Sequence, residues 1–138
     1  MAKYRIAWMP GDGVGHDVMQ AARIVLDDLK LDAEYVPCEI GWEFWCKEGN
    51  ALPDRTVKVL KETTCGLFGA ITSKPQSEAK EELIPEFKGK GLVYFSPIVG
   101  LRQMFVQPCL LMMRVESATF SNPFSFHFFI FGLAQSAV

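Results

Sequence analysis

Apolar and polar positions alternate with two different periods along the first hundred residues, and each period predicts an element. "YRIAWM" (4–9) mixes aromatic and branched side chains and stops at Pro10-Gly11, which predicts a short buried strand. From His16 to Lys30, Val18, Ala21, Ala22, Val25, Leu26 and Leu29 recur at helical spacing, with Asp17 placed to favour the helix dipole. "AEYVPCEI" (33–40) predicts a second strand, with Pro37 marking an edge or a bulge. "GWEFWCKEGN" (41–50) reads as a loop or short irregular segment, its Trp42 and Trp45 expected to serve packing. "DRTVKVLKET" (54–63), preceded by Pro53, predicts a modest helix.

"CGLFGAI" (65–71) is a continuous apolar run, the pattern of a strand covered on both faces. "TSKPQ" (72–76) is a polar loop at its carboxyl end. "SEAKEELIPEFKGKG" (77–91) predicts a charged short helix interrupted by Pro85, and "LVYFS" (92–96) a further strand. Strand and helix thus alternate, which predicts an α/β fold: a partial three-layer sandwich with a mainly parallel sheet. Ligands of such sheets sit beyond the carboxyl ends of the strands. Three loops are expected to converge there: Gly11–Gly15, Thr72–Pro75 and the segment from Ser96 onward.

Composition changes the picture after residue 105. Of the 14 basic and 16 acidic residues, only Arg114 and Glu116 fall in 106–138, whereas six of the 11 phenylalanines lie between Phe120 and Phe131. Residues 1–105 are therefore read as one α/β unit and 106–138 as an atypical aromatic tail. The net charge of −2 provides no basic field for nucleic acid. Cys38, Cys46, Cys65 and Cys109 form no C-x-x-C pair, which suits reduced thiols in a cytoplasmic protein. No stretch has the roughly 18 apolar residues of a membrane span, and "MAKYRIAWMP" is too poor in apolar residues for a signal peptide.

The glycine loop "GDGVG" (11–15) invites a phosphate-binding reading that its spacing denies. A G-x-G-x-x-G fingerprint would need glycine at His16 or Val18, and no Gly-Lys-Ser/Thr follows for a P-loop. The glycines then serve the backbone, letting it leave a strand and enter a helix at angles other residues avoid.

"MPGDGVGHDVMQAA", "GLFGAITSKP" and "SPIVGLRQMF", in that order, resemble the amino-terminal part of the isocitrate and isopropylmalate dehydrogenases. His16 and Asp17 stand where that family usually has proline and glutamate. The resemblance implies hydride transfer from a 2-hydroxy acid to NAD or NADP, with decarboxylation at a bound Mg2+ or Mn2+. It implies a small di- or tricarboxylate substrate and dimeric or related assemblies. On it, Arg102 is the first arginine of the substrate clamp, where a guanidinium fork suits a carboxylate. Ser96, six residues earlier, is a substrate contact that favours isocitrate; Thr72 lies near substrate and nicotinamide ribose; Val14 lies near the nicotinamide ring. Isopropylmalate, homoisocitrate and tartrate relatives remain alternatives.

Past Phe105 the resemblance stops. The second clamp arginine would stand at 112, which is Met112. The family's proton-transfer residues, metal aspartates and adenosine loop have no counterpart here, so no catalytic or metal-ligating residue is assigned to this chain. It is expected to be inactive alone and poorly soluble. A shifted reading frame, retained intron or alternative exon would account for 106–138; the alternative is a genuine tail packing Phe120–Phe131 onto the open sheet. A further alternative is a truncated, non-catalytic subunit that binds a full-length partner.

Overall fold

A computed structural model describes residues 2–105, 110–116 and 125–132, the last two segments as backbone only. The elements run β1 (Tyr4–Gly11), α1 (Val14–Asp28), β2 (Ala33–Pro37), α2 (Trp42–Glu48), α3 (Asp54–Glu62), β3 (Cys65–Ala70), α4 (Gln76–Glu81), α5 (Pro97–Met104), β4 (Leu110–Glu116) and β5 (Ser125–Gly132). The sheet order is β2-β1-β3-β5-β4. β1 is parallel to both β2 and β3, while β5 runs antiparallel to β3 and to β4. The α/β architecture expected from the sequence is present, with its parallel part confined to three strands.

Strand alternation sorts the core into two layers, because successive side chains leave opposite faces of a strand. Ile6 and Leu67 meet Met19 of α1 on one face. Ala7, Met9 and Phe68 meet Leu60 of α3 and Leu101 of α5 on the other. Burial of this kind contributes roughly 1.5–3 kcal/mol for each large side chain, so α1, α3 and α5 are fixed on the sheet chiefly by these few contacts. A third cluster lies apart from the sheet: Trp42, Trp45, Ala51, Ala79, Leu83 and Tyr94. Both tryptophans are packed there, as their composition suggested.

Three sequence expectations are corrected. Residues 41–50 are not irregular: Trp42–Glu48 form α2, which Gly49 closes in the left-handed conformation at φ 69°. Residues 92–96 form no strand; β3 is paired with β5, and the Gln76 carboxamide takes the hydrogen bonds a neighbouring strand would have offered. Gln76 Oε1 accepts from Tyr94 N at 3.1 Å, and Gln76 Nε2 donates to the Tyr94 carbonyl. The charged helix predicted at 77–91 is shorter, Gln76–Glu81, and turns follow it.

The apolar stripe of α1 is also rotated from its expected position. Gly15 and Met19 are buried and Ala22 and Leu26 half-buried, whereas Val25 and Leu29 are 59% and 69% exposed. At 100° per residue, Val14, Ala21, Val25 and Leu29 lie about 100° around the axis from the sheet-facing set. α1 therefore carries two apolar faces and buries one.

Candidate functional site

The glycine loop is a joint between β1, α1 and the end of β3. Asp12 N donates to the Ala70 carbonyl at 2.8 Å. A Cβ on Gly11 would stand 1.9 Å from Ala70 O, and one on Gly15 would stand 2.1 Å from Pro10 O. Two of the three glycines thus let main chain lie against main chain, and no phosphate is needed to explain them.

Between them, Asp12 turns its carboxylate onto three amides. Oδ2 accepts from Trp42 N at 2.7 Å and from Thr72 N at 3.0 Å, and Oδ1 accepts from Glu43 N at 3.1 Å. The first two of those residues, thirty and sixty positions away, are brought to one point. A carboxylate at the first amides of α2 satisfies donors that the helix cannot pair internally, which is why 42–48 is helical. Gly41, at φ 120°, makes the approach possible: a Cβ there would lie 2.5 Å from Asp12 Oδ2.

Thr72 leaves β3 into this junction. Its N–H is held by Asp12 and its carbonyl accepts from the Tyr94 hydroxyl at 3.4 Å. Its own hydroxyl makes no hydrogen bond among the described residues, and the residue is half-buried. Burial raises the Tyr94 phenol above its ordinary pKa, with a hydrogen bond from Ser73 working the other way. Phenol and peptide therefore stay neutral partners across the physiological range.

Two residues further on, Lys74 pairs with Glu82. Glu82 Oε2 also accepts the Trp42 indole N–H at 2.6 Å. The Lys74 ammonium lowers the Glu82 pKa most, and the Trp42 donor adds to it. Lys74 Nζ stands 5.4 Å from the centroid of the Trp42 ring.

Of the four residues singled out in the sequence, Val14 is the first residue of α1, 54% exposed, beside the glycine loop. Thr72 joins that loop through Asp12. Ser96 is the half-buried N-cap of α5, and Arg102 is exposed in its last turn, about 9 Å along the axis. The 92–96 segment reaches Thr72 through Tyr94. The glycine loop and the Thr72–Pro75 loop, two of the three expected to converge, are thus joined through Asp12 and the Asp12–Ala70 backbone bond.

Asp12, Gln76 and Tyr94 were missed in the sequence. Asp12 was legible only as the acid between two glycines, a position suited to turning a side chain onto neighbouring amides. Nothing local marks Gln76 or Tyr94.

A separate cleft of about 440 Å³ opens at the ends of β1 and β2, lined in part by Trp8, His16, Phe44 and Arg55. It includes neither Thr72, Ser96 nor Arg102. Among the described residues no three His, Cys, Asp or Glu side chains are grouped to hold a metal ion. No helix among them is long and apolar enough to cross a membrane. For a dinucleotide, Val14 offers an exposed apolar side chain and Thr72 a free hydroxyl. Gly11 and Gly15 offer no phosphate cradle, being occupied with Ala70 and Pro10. A divalent cation is not fitted by these residues, and no step is assigned to one.

An α/β sheet with loops fastened together at the carboxyl ends of its parallel strands defines the class: a ligand-binding α/β enzyme domain, or part of one. The sequence model described as isocitrate/isopropylmalate dehydrogenase matches residues 5–94, and the chain belongs to that family. Val14 and Thr72 lie inside that match; Ser96 and Arg102 lie beyond it.

The chain is 42% identical over 127 residues to protein DlpA of Legionella pneumophila, an alignment that covers 88% of this chain and 20% of that protein. Residues 1–105 make up about 76% of the 138, so this alignment takes in part of 106–138. It is 44% identical over 70 residues to the isocitrate/homoisocitrate dehydrogenase of Thermus thermophilus, covering 51% of this chain and 21% of that one. The homoisocitrate dehydrogenase of Methanocaldococcus jannaschii is 38% identical over 101 residues, covering 73% and 25%. The chain thus spans a fifth to a quarter of these curated relatives' length. The fold is like that of a β-decarboxylating dehydrogenase from Thermococcus kodakarensis in its apo form, with TM-score 0.59, 18% identity, 90% of this chain and 40% of that chain covered.

Proposed function

We propose that this chain supplies the amino-terminal part of an NAD- or NADP-dependent, β-decarboxylating 2-hydroxy acid dehydrogenase of isocitrate type. The single observation that carries the reading is the Asp12–Thr72–Tyr94 frame, which fixes the loop ends where a substrate and a nicotinamide would meet. Thr72 and Val14 then serve the cofactor, and Thr72, Ser96 and Arg102 the substrate. The Arg102 guanidinium grips a carboxylate, and the Ser96 hydroxyl discriminates among malate-type acids, because a buried polar group left unpaired is costly. The metal, Mg2+ or Mn2+, belongs to the complete family fold, its ligands being absent from this chain, and the 138-residue chain does not turn over alone. The protein is cytoplasmic.

The test is NADH or NADPH formation by the purified chain with isocitrate, homoisocitrate or isopropylmalate and Mg2+, beside an intact relative. No turnover by the chain alone is expected. A chimaera carrying residues 2–105 on the remainder of the Thermus relative is expected to turn over, and to lose kcat/KM by about 100-fold or more on Arg102→Ala. A fully active chimaera with Arg102→Ala would sink the assignment.

The second apolar face of α1 favours a second reading: a non-catalytic subunit that binds a full-length partner of the same family. Val14, Val25 and Leu29 are each more than half exposed on it. Co-purification with an intact family member, lost on Val25→Asp, is the expected result. For residues 106–138, the DNA after codon 105 separates the alternatives. A continuation of the family pattern in another frame marks a shift, and its absence counts against one.

A further inference from the structure

We propose that Trp42 is a positioning residue for the Thr72–Lys74 loop, beyond its part in the aromatic core. The inference rests on the reading above that Thr72 stands at the ligand site, but its test reads the loop directly. Trp42 meets that loop at both ends. At the first end, Asp12 Oδ2 bridges Trp42 N, at 2.7 Å, and Thr72 N, at 3.0 Å. At the other, Glu82 bridges the Trp42 indole N–H, at 2.6 Å, and the Lys74 ammonium.

Across the middle, the Tyr94 ring packs edge-on against Trp42 at 5.0 Å between centroids, while its hydroxyl reaches the Thr72 carbonyl. The loop is thereby closed into a ring: Thr72, Asp12, Trp42, Glu82, Lys74 and back through Ser73. A short polar loop at a strand end has few contacts of its own, so its order is borrowed from this ring.

Trp45 is the internal control. It too is buried, packs on the same Tyr94 ring at 5.4 Å, and spends its indole N–H on the Ala79 carbonyl at 2.7 Å, away from the loop. General loosening of the aromatic cluster follows loss of either tryptophan. Loss of loop order follows only loss of Trp42.

The experiment is ¹⁵N relaxation on the full 138-residue chain. In the parent, Ser73 and Lys74 are expected to be rigid, with order parameters of about 0.85; in Trp42→Phe they are expected to fall below about 0.6 while the sheet amides hold. Trp45→Phe is expected to leave Ser73 and Lys74 unchanged. Equal loss in both variants, or none in Trp42→Phe, overturns the proposal. Should Trp42→Phe fail to fold, Glu82→Ala, an exposed change that removes the acceptor shared by the Trp42 indole N–H and the Lys74 ammonium, takes its place. Rigid Ser73 and Lys74 in that variant overturn the proposal equally. Because no ligand is added, failure here is distinct from failure of the dehydrogenase reading, which the chimaera decides.

Discussion

Asp12 and Thr72, sixty residues apart in sequence, are joined by a 3.0 Å hydrogen bond from the Thr72 amide to an Asp12 carboxylate oxygen that also caps α2. One side chain therefore sets both the start of a helix and the exit of a strand. Asp12→Ala is expected to cost about 2–4 kcal/mol, since it strips a charged acceptor from three amides. Asp12→Asn retains one carbonyl acceptor and is expected to cost less than half as much. Urea unfolding of the three proteins checks the order.

The glycines of the loop are not equivalent. Gly15 has ordinary helical space taken by the Pro10 carbonyl, so Gly15→Ala forces backbone apart and is expected to destabilise by roughly 2–3 kcal/mol. Gly13 meets nothing within 4 Å but sits at φ 50°, so Gly13→Ala is expected to cost only about 1 kcal/mol of backbone strain. Thermal midpoints of the pair rank the two costs.

Gln76 stands in for a strand. Gln76→Ala leaves the N–H and carbonyl of Tyr94 without their partner, an expected loss of about 1–3 kcal/mol. Gln76→Glu keeps an acceptor for the N–H but sets a carboxylate against the Tyr94 carbonyl, and is expected to do no better. Faster hydrogen exchange at the Tyr94 amide in both variants is the check.

Acid is expected to loosen the ring. Lys74 and the Trp42 indole hold the Glu82 carboxyl below its usual pKa. A lowered folded value means that its contribution is fully present above the unfolded value of about 4.3 and is lost as pH falls through the folded one. Glu82→Gln is expected to flatten the fall in thermal midpoint below about pH 5; an unchanged slope would contradict it.

The parallel core was legible because its signals are local. The apolar run at Cys65–Ala70 and the strand ending at Pro10-Gly11 each say what they are within a few residues. The 92–96 segment misled for the same reason: Leu92–Ser96 has a strand's composition, but a strand also needs a neighbour, and the place beside β3 is taken by β5. The 41–50 segment misled in the opposite sense, since its cap is supplied by Asp12, thirty residues upstream. Of the candidate site, Thr72 and Val14 were singled out through motif order, whereas Asp12, Gln76 and Tyr94 act by meeting residues the sequence keeps far away.

By itself the sequence determined the alternation of strand and helix, the failure of the nucleotide fingerprints and the family, because periodicity, spacing and motif order are properties of neighbours along the chain. Only the tertiary structure decided which face of α1 is buried, which main chain the glycines lie against and which side chains hold Thr72. Those outcomes depend on close approach between segments distant in sequence, where a single Cβ or a shared carboxylate settles what fits.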